Sequence, residues 1–284
     1  MDGFFLINKE PNMTSHDVVY KIKKKFNFAK TGHTGILDPM AKGLLIVLIN
    51  QATKLAFLFE NLNKGYQGSM VFNKQYDTLD ITGTLTAQKE MLLTDEMVQE
   101  SVAFFDQKQY LQKPPLYSAI KVKGQKLYDL ARKNIEIDIA PRKVKIYHLE
   151  MVSALKNDQI EFITTVSKGT YIRSLARDMG ERMNTYGSLQ SLTRTQIGSY
   201  DWKNAKTIDE VSLEDLNDVK SLFTNHQKIV LNDYLVRLVQ NGVYLDERQI
   251  ITDEPFVVLD QKENWIAYYE PIEKNKYRPR YFFQ

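Results

Sequence analysis

Gly32-His33-Thr34-Gly35-Ile36-Leu37-Asp38-Pro39-Met40-Ala41-Lys42-Gly43 runs directly into Leu44-Leu45-Ile46-Val47-Leu48-Ile49. The second half reads as a buried strand, because six consecutive apolar residues leave no face for water. The first half reads as the tight loop that feeds it. Its glycines allow positive φ and close backbone approach, and its one carboxylate, Asp38, stands between Leu37 and Pro39 at the mouth of that strand. Two roles fit such an aspartate: it can cap a turn, as Asp commonly does, or it can face a cleft as a reactive group.

Before this segment, Gly3–Asn8 has strand character. Thr14 or Ser15 with Asp17 in the first turn opens a helix through Val18, Val19, Ile22 and Phe26, with Lys21, Lys24 and Lys25 on a cationic face. After it, the pattern predicts a helix from about Gln51 to Asn61 and an extended segment Tyr66–Asn73. A polar loop Asp77–Gly83 and a helix Asp95–Gln107 follow. Lys113–Pro115 cannot lie inside a helix, since adjacent prolines remove donors and lock φ. Lys143–Ala154 and Gln159–Val166 read as neighbouring strands joined at Lys156-Asn157-Asp158. Tyr171–Asn184 carries helical apolar spacing, Gly187–Tyr200 mixes loop and strand, and Asp209–Asp218 reads as an acidic helical connector. Beyond Gln227 the chain turns to short strands, among them Val257–Leu259, Trp265–Tyr269 and Tyr281–Phe283.

A chain of 284 residues can bury a large core and divides naturally into one large domain and a small appendage. We expect the boundary near 225: residues 1–225 as the main domain, 226–284 as a β-rich tail. The chain has 0 Cys and 4 scattered His, which excludes disulfides and thiolate metal sites and predicts no metal. The N-terminal residues lack a signal-peptide pattern, and no apolar run reaches the ~18 residues that span a bilayer; a cytoplasmic protein is expected. Residues 1–200 hold 27 Lys and Arg against 20 Asp and Glu, whereas the remainder is net acidic. Lysines interleaved with Tyr and Phe suit a nucleic acid, where charge meets phosphate and rings stack on bases. The clusters are Lys21–Lys30, then Lys113, Lys121, Lys123 and Lys126, then Arg132, Lys133, Arg142, Lys143 and Lys145.

The Gly32–Gly43 loop resembles the GHTGTLDPxAxGxL signature of the TruB family of tRNA pseudouridine synthases. Two further blocks share the resemblance. Lys113-Pro114-Pro115-Leu116-Tyr117-Ser118-Ala119-Ile120-Lys121, with Gly124, Leu127-Tyr128 and Ala131-Arg132, is similar to PPxYSAxKxxGxxxYxxAR. Ser167-Lys168-Gly169-Thr170-Tyr171-Ile172-Arg173-Ser174-Leu175 is similar to SKGTYIRxL. Together they cover roughly residues 3–200. The resemblance implies isomerisation of a uridine in the tRNA T-loop, at the position conventionally numbered 55. It also implies an α+β fold with a central mixed, largely antiparallel β-sheet flanked by helices, and a small C-terminal PUA-like domain.

It further implies roles. Asp38 is the nucleophile, and attack at C6 of the base or at C1′ of the ribose both suit a carboxylate. Arg173 pairs with Asp38 and offsets the cost of burying its charge. Tyr66 stacks on the target base with its hydroxyl near C5, although a phenol with an ordinary pKa near 10 is a weak base at neutral pH. Tyr171 and Leu192 line the base pocket, and His33 meets the nucleotides displaced when the uridine is flipped out. Atoms are conserved in this reaction, so no cofactor is needed. The expected partner is the T-arm of tRNA, met by a monomer without protein partner or membrane; assistance to tRNA folding could accompany catalysis. A guide-RNA-dependent relative and a non-catalytic tRNA-binding module are the alternatives. The chain departs from the family's KPxGxTS at Lys9-Glu10-Pro11-Asn12-Met13-Thr14-Ser15, where Asn12 replaces glycine; Asn tolerates the left-handed conformation that such a turn needs. Lys42 stands where the family commonly has a small residue.

Overall fold

The computed structural model describes residues 1–118, 121–122, 125–126 and 139–283. Of the Lys113–Arg132 block, residues 119–120, 123–124 and 127–132 lie outside the described part, as do Lys133 and the side chains of Lys121 and Lys126.

The strand after the Asp38 loop, Lys42–Ile49 (β3), is buried at every position from Gly43 to Ile49. It pairs antiparallel with Gly3–Lys9 (β1), in unbroken register from Gly3↔Ile49 to Lys9↔Gly43. Alternation assigns the two faces. Phe5, Ile7, Leu45, Val47 and Ile49 pack against helix α1, Ser15–Phe26, through Val18, Val19 and Ile22. Phe4, Leu44, Ile46 and Leu48 pack on the other side against Phe59 and Ile197. Thr14 and Asp17 cap α1 reciprocally, Lys23, Lys24 and Lys25 fill its last turn, and Asn27 ends it at φ 54°. This is the distribution of charge that a helix dipole favours.

Around this pair the sheet grows from Thr31–His33 (β2), Lys64–Phe72 (β4), Gln109–Gln112 (β5), Arg142–Met151 (β6), Gln159–Val166 (β7), Gly187–Ile197 (β8), Tyr200–Asp201 (β9) and Asn217–Asp218 (β10). Its order is β10-β1-β3-β8-β4-β7-β6-β5, with β2 on β3 and β9 on β8. Every pairing is antiparallel except the short β3–β8 contact at Thr193↔Lys42 and Arg194↔Gly43. The β6–β7 pair expected from the sequence is present, with Asn157 and Asp158 at φ 51° and 58° in its turn. Helices α2 (Asp95–Phe105) and α3 (Ile172–Arg182) cover the far half of the sheet. There Val98, Val102, Leu175, Ala176 and Met179 meet Met70, Phe72, Ile146, Ile160 and Phe162. The fold is thus α+β around a mixed, largely antiparallel sheet.

At Gly180 of α3 the helix backbone nearly touches β8: a Cβ there would lie 2.4 Å from the Gly187 nitrogen and from the Tyr186 carbonyl carbon. Backbone cannot yield as a side chain does, so Gly180→Ala is expected to cost about 3 kcal/mol of stability through overpacking, read by urea denaturation. A change under 0.5 kcal/mol would show that the contact can relax.

Three expectations need correction. Gln51–Asn61 is not one helix but a 3₁₀ segment Asn50–Leu55 followed by one α turn, Phe57–Glu60. Ala52 and Leu55 face one cluster while Phe59 faces another, and 3₁₀ winding aligns residues three apart. Asp209–Asp218 is not helical beyond the turn Leu213–Asp215. Its Thr207–Glu210 and Ser212–Asp215 pairs spend their side chains on nearby backbone N–H groups, a competitor to helix formation. Gly187–Tyr200 is mostly one long strand, with irregular register at Leu189/Ser191 and Arg194/Gln196.

The tail forms a second sheet from Gln227–Val230 (β11), Leu245–Asp246 (β12), Phe256–Leu259 (β13), Trp265–Glu273 (β14) and Lys276–Phe282 (β15). The order is β11-β13-β14-β15-β12. A helix not anticipated in this tail, α4 (Asp233–Gln240), is capped by Asn232. The second sheet is packed onto the first part of the chain: Val257, Leu259, Tyr268 and Tyr281 share one apolar cluster with Ala52, Leu55, Val219 and Phe223.

Candidate active site

The Asp38 loop is anchored on several sides. The Ser15 hydroxyl donates to the Leu37 carbonyl and accepts from the Leu37 N–H. The N–H of Asn12, at φ 65° as its place in the turn requires, donates to the Pro39 carbonyl. Lys9 is fully buried, and its ammonium donates to the carbonyls of Glu10, Met13 and Pro39. Burial pushes Lys9 down to about 8, against the pull of Asp38. The departure from the family's N-terminal motif therefore leaves a complete turn bound to the loop.

Asp38 meets Arg173 at two points: Nε lies 2.9 Å from Oδ2, and Nη2 donates to Oδ1 at 3.0 Å. Arg173 belongs to the first turn of α3, where the helix dipole disfavours a cation. Its side chain is only 7% exposed, and four acceptors compensate it. Besides Asp38 they are the carbonyls of Thr78 (2.9 Å) and Tyr117 (3.0 Å) and the carboxylate of Asp80 at 3.4 Å. Asp80, with a side chain 5% exposed, is held by the Thr78 hydroxyl and by the backbone N–H and hydroxyl of Thr82. Asp38 remains 30% exposed at the open side. The result is a guanidinium between a deep carboxylate and an accessible one, an arrangement that holds Asp38 oriented and presents it to whatever enters.

What can enter is a cleft of about 310 Å³ lined by Asp38, Tyr66, Tyr171, Arg173, Leu192 and Arg194, with Ser118, Lys64 and Lys168. Strand register explains why distant residues share it: Tyr66 on β4 is opposite Arg194 on β8, and Leu192 lies two residues earlier on the same face. Tyr171 precedes α3, and Gln112 holds its backbone at both ends, accepting from its N–H at 2.8 Å and donating to its carbonyl at 3.2 Å. Burial pushes the Tyr171 hydroxyl up. Among the described residues no group of three or more His, Asp or Glu could hold a metal ion.

The expected site residues Asp38, Tyr66, Tyr171, Arg173 and Leu192 thus line one cleft. His33 does not; it ends β2, next to Thr34, which does. Burial, with the charge of Arg194 as a second cause, pushes His33 below its ordinary 6.5, and its Nδ1 is buried without a partner. The folded state therefore binds fewer protons than the unfolded chain, so stability falls as pH drops through 6.5. His226 shifts the same way. His33→Gln is expected to flatten part of the loss of urea resistance between pH 7 and 5; an unchanged slope would refute the shift.

Sequence reasoning missed Asp80, Gln112 and Arg194. Asp80 had a signal: like Asp38 it is a carboxylate set between apolar neighbours, Leu79 and Ile81, in a polar loop. Gln112 and Arg194 had none, because a buried clamp depends on which backbone it meets.

Residues 23–172 match the family model described as TruB family pseudouridylate synthase, N-terminal domain. A relative from Onion yellows phytoplasma (strain OY-M), named tRNA pseudouridine synthase B, is 56% identical over 283 residues, covering 100% of both chains. One of the same name from Acholeplasma laidlawii (strain PG-8A) is 48% identical, again covering 100% of both. The fold is similar to a chain of a solved H/ACA RNP bound to a substrate RNA containing 2′-deoxyuridine, with TM-score 0.69 at 20% identity, covering 99% of this chain and 85% of that one. With a family model over more than half its length and full-length relatives on either side of 50% identity, the chain belongs to the TruB family of pseudouridylate synthases.

Proposed function

We propose that this protein converts a uridine of tRNA to pseudouridine, in the T-loop, acting alone as a cytoplasmic monomer. The observation that carries the reading is the Asp38 carboxylate, open to the cleft and gripped from behind by Arg173, which Asp80 in turn supports. Mere binding of RNA has no use for a carboxylate so held. The flipped uridine enters the cleft, and Asp38 attacks C6 of the base or C1′ of the ribose. The N1–C1′ bond breaks, the uracil turns, and C5 joins C1′. The C5 proton then leaves, with the Tyr66 hydroxyl beside the ring, and N1 regains a proton as Asp38 is released. Nothing is gained or lost overall. Tyr171 and Leu192 form the walls of the base pocket, and His33 meets neighbouring nucleotides at its rim. Residues 1–225 carry this chemistry; 226–284 form a PUA-like appendage that extends the RNA contact.

The test is to incubate the purified protein alone with unmodified tRNA and map pseudouridine by carbodiimide treatment and primer extension. A single new stop in the T-loop supports the reading. Product only with an added guide RNA would move it to the guide-dependent class, and binding without product would reduce it to an RNA-binding module.

A further inference from the structure

Resting on that reading, we infer that Arg194 is a positioning residue: its guanidinium ties the neck of the Asp38 loop to the strand that walls the cleft, and so sets where the Asp38 carboxylate stands. Nε donates to the Leu44 carbonyl at 2.8 Å, Nη1 to Ile36 at 3.1 Å and Nη2 to Gly35 at 3.3 Å. The first acceptor is the third residue of β3, after the loop, and the other two lie before Asp38, so one side chain closes the neck from within. The sheet cannot do this work. The last ladder-like bond on the incoming side is Thr34 N–H to the Ile46 carbonyl, and the chain then leaves β3.

Arg194 is 2% exposed, and among the described residues no carboxylate lies within ion-pair distance of it, in contrast to Arg173 with two. A buried guanidinium without a counter-charge is costly, which is hard to reconcile with packing alone. Burial lowers Lys9, His33 and Lys64, and the Arg194 charge adds to the lowering of each. Its placement is tightly specified. Gly43, at φ 104°, lies so close that a Cβ would stand 2.3 Å from the Arg194 carbonyl oxygen. Leu192, two residues before Arg194, lines the cleft, so strand β8 carries both the pocket wall and the fork that registers the loop against it.

The experiment compares Arg194→Lys and Arg194→Ala with the wild type in thermal stability, tRNA Kd, single-turnover rate at saturating tRNA, and amide exchange of residues 34–44. A lysine keeps the charge but cannot span three carbonyls as a planar fork does. Arg194→Lys is expected to hold Kd within about threefold and slow the single-turnover rate about 100-fold, the scale of a 1 Å misplacement. Exchange should quicken in 34–44 and not in the rest of the sheet. Added ethylguanidinium should restore much of the rate to Arg194→Ala; if that variant does not fold, the lysine variant decides alone. A wild-type rate in Arg194→Lys, or a rate loss matched by Kd or by the unfolded fraction with loop exchange unchanged, overturns the inference. Failure of the wild type to make pseudouridine would strike the functional reading instead, and the loop exchange would still decide the role of Arg194.

Discussion

Asp38→Asn is expected to lower turnover on tRNA by at least ~10⁴-fold, about 5.4 kcal/mol at 1.36 kcal/mol per tenfold, with tRNA affinity within a few-fold of wild type. The substitution is isosteric, and the loop is held through Leu37 and Pro39 by Ser15, Asn12 and Lys9, not through the side chain. The neck bonds of Arg194 also survive. The proposed nucleophile does not: a neutral amide oxygen is a poor attacker, and the amide nitrogen cannot accept from Arg173, so one of the two contacts at Nε and Nη2 is lost. Arg173 retains Asp80 and two carbonyls, so folding should hold. Residual single-turnover activity at or above ~0.1% of wild type would mean that the carboxylate acts only by electrostatics, since removing one electrostatic donor typically costs 10²–10³-fold.

Arg173→Lys comes next in size, with a single-turnover rate down about 10²–10³-fold. An ammonium is a point charge on a flexible stem and cannot meet Asp38 at two points while reaching Asp80 and the carbonyls of Thr78 and Tyr117. Asp38 then loses its orientation but keeps its charge. Arg173→Ala goes further, leaving Asp80 buried without its cation; loss of one partner from a buried pair costs about 3–5 kcal/mol, and the hydroxyl and N–H groups of Thr78 and Thr82 should keep the loss near the lower figure. The measurements are urea denaturation, tRNA Kd by filter binding and single-turnover rate. An equal fall in affinity and rate would count against an orienting role and favour direct contact with RNA phosphate.

Much was legible before any coordinates. The Thr14–Asp17 cap and the apolar positions of α1 are local facts, and the continuous apolar run after Gly43, too short for a typical helix, reads as a strand buried on both faces. The β6–β7 hairpin announced itself through Asn157-Asp158. Failures came where side chains compete with the backbone, at Ser212–Asp215, or where apolar residues serve two clusters, at Ala52 and Phe59. In the tail, Asn232 with Leu235, Val236 and Val239 carries a capped helical pattern, but it is short and flanked by aromatic runs that favour strands.

Motif blocks named Asp38, Tyr171 and Arg173, and the wider resemblance named Tyr66, because reaction chemistry restricts residue type, and residue type is visible in a string of letters. That Asp38 faces Arg173 across 135 residues of chain, that Asp80 stands behind, and that Gln112 and Arg194 hold the parts in place are properties of the sheet order β1-β3-β8-β4-β7. Strand pairing sets which loops become neighbours, and a buried cation is specified by the carbonyls it meets. Those carbonyls belong to every residue alike, so no sequence pattern marks them.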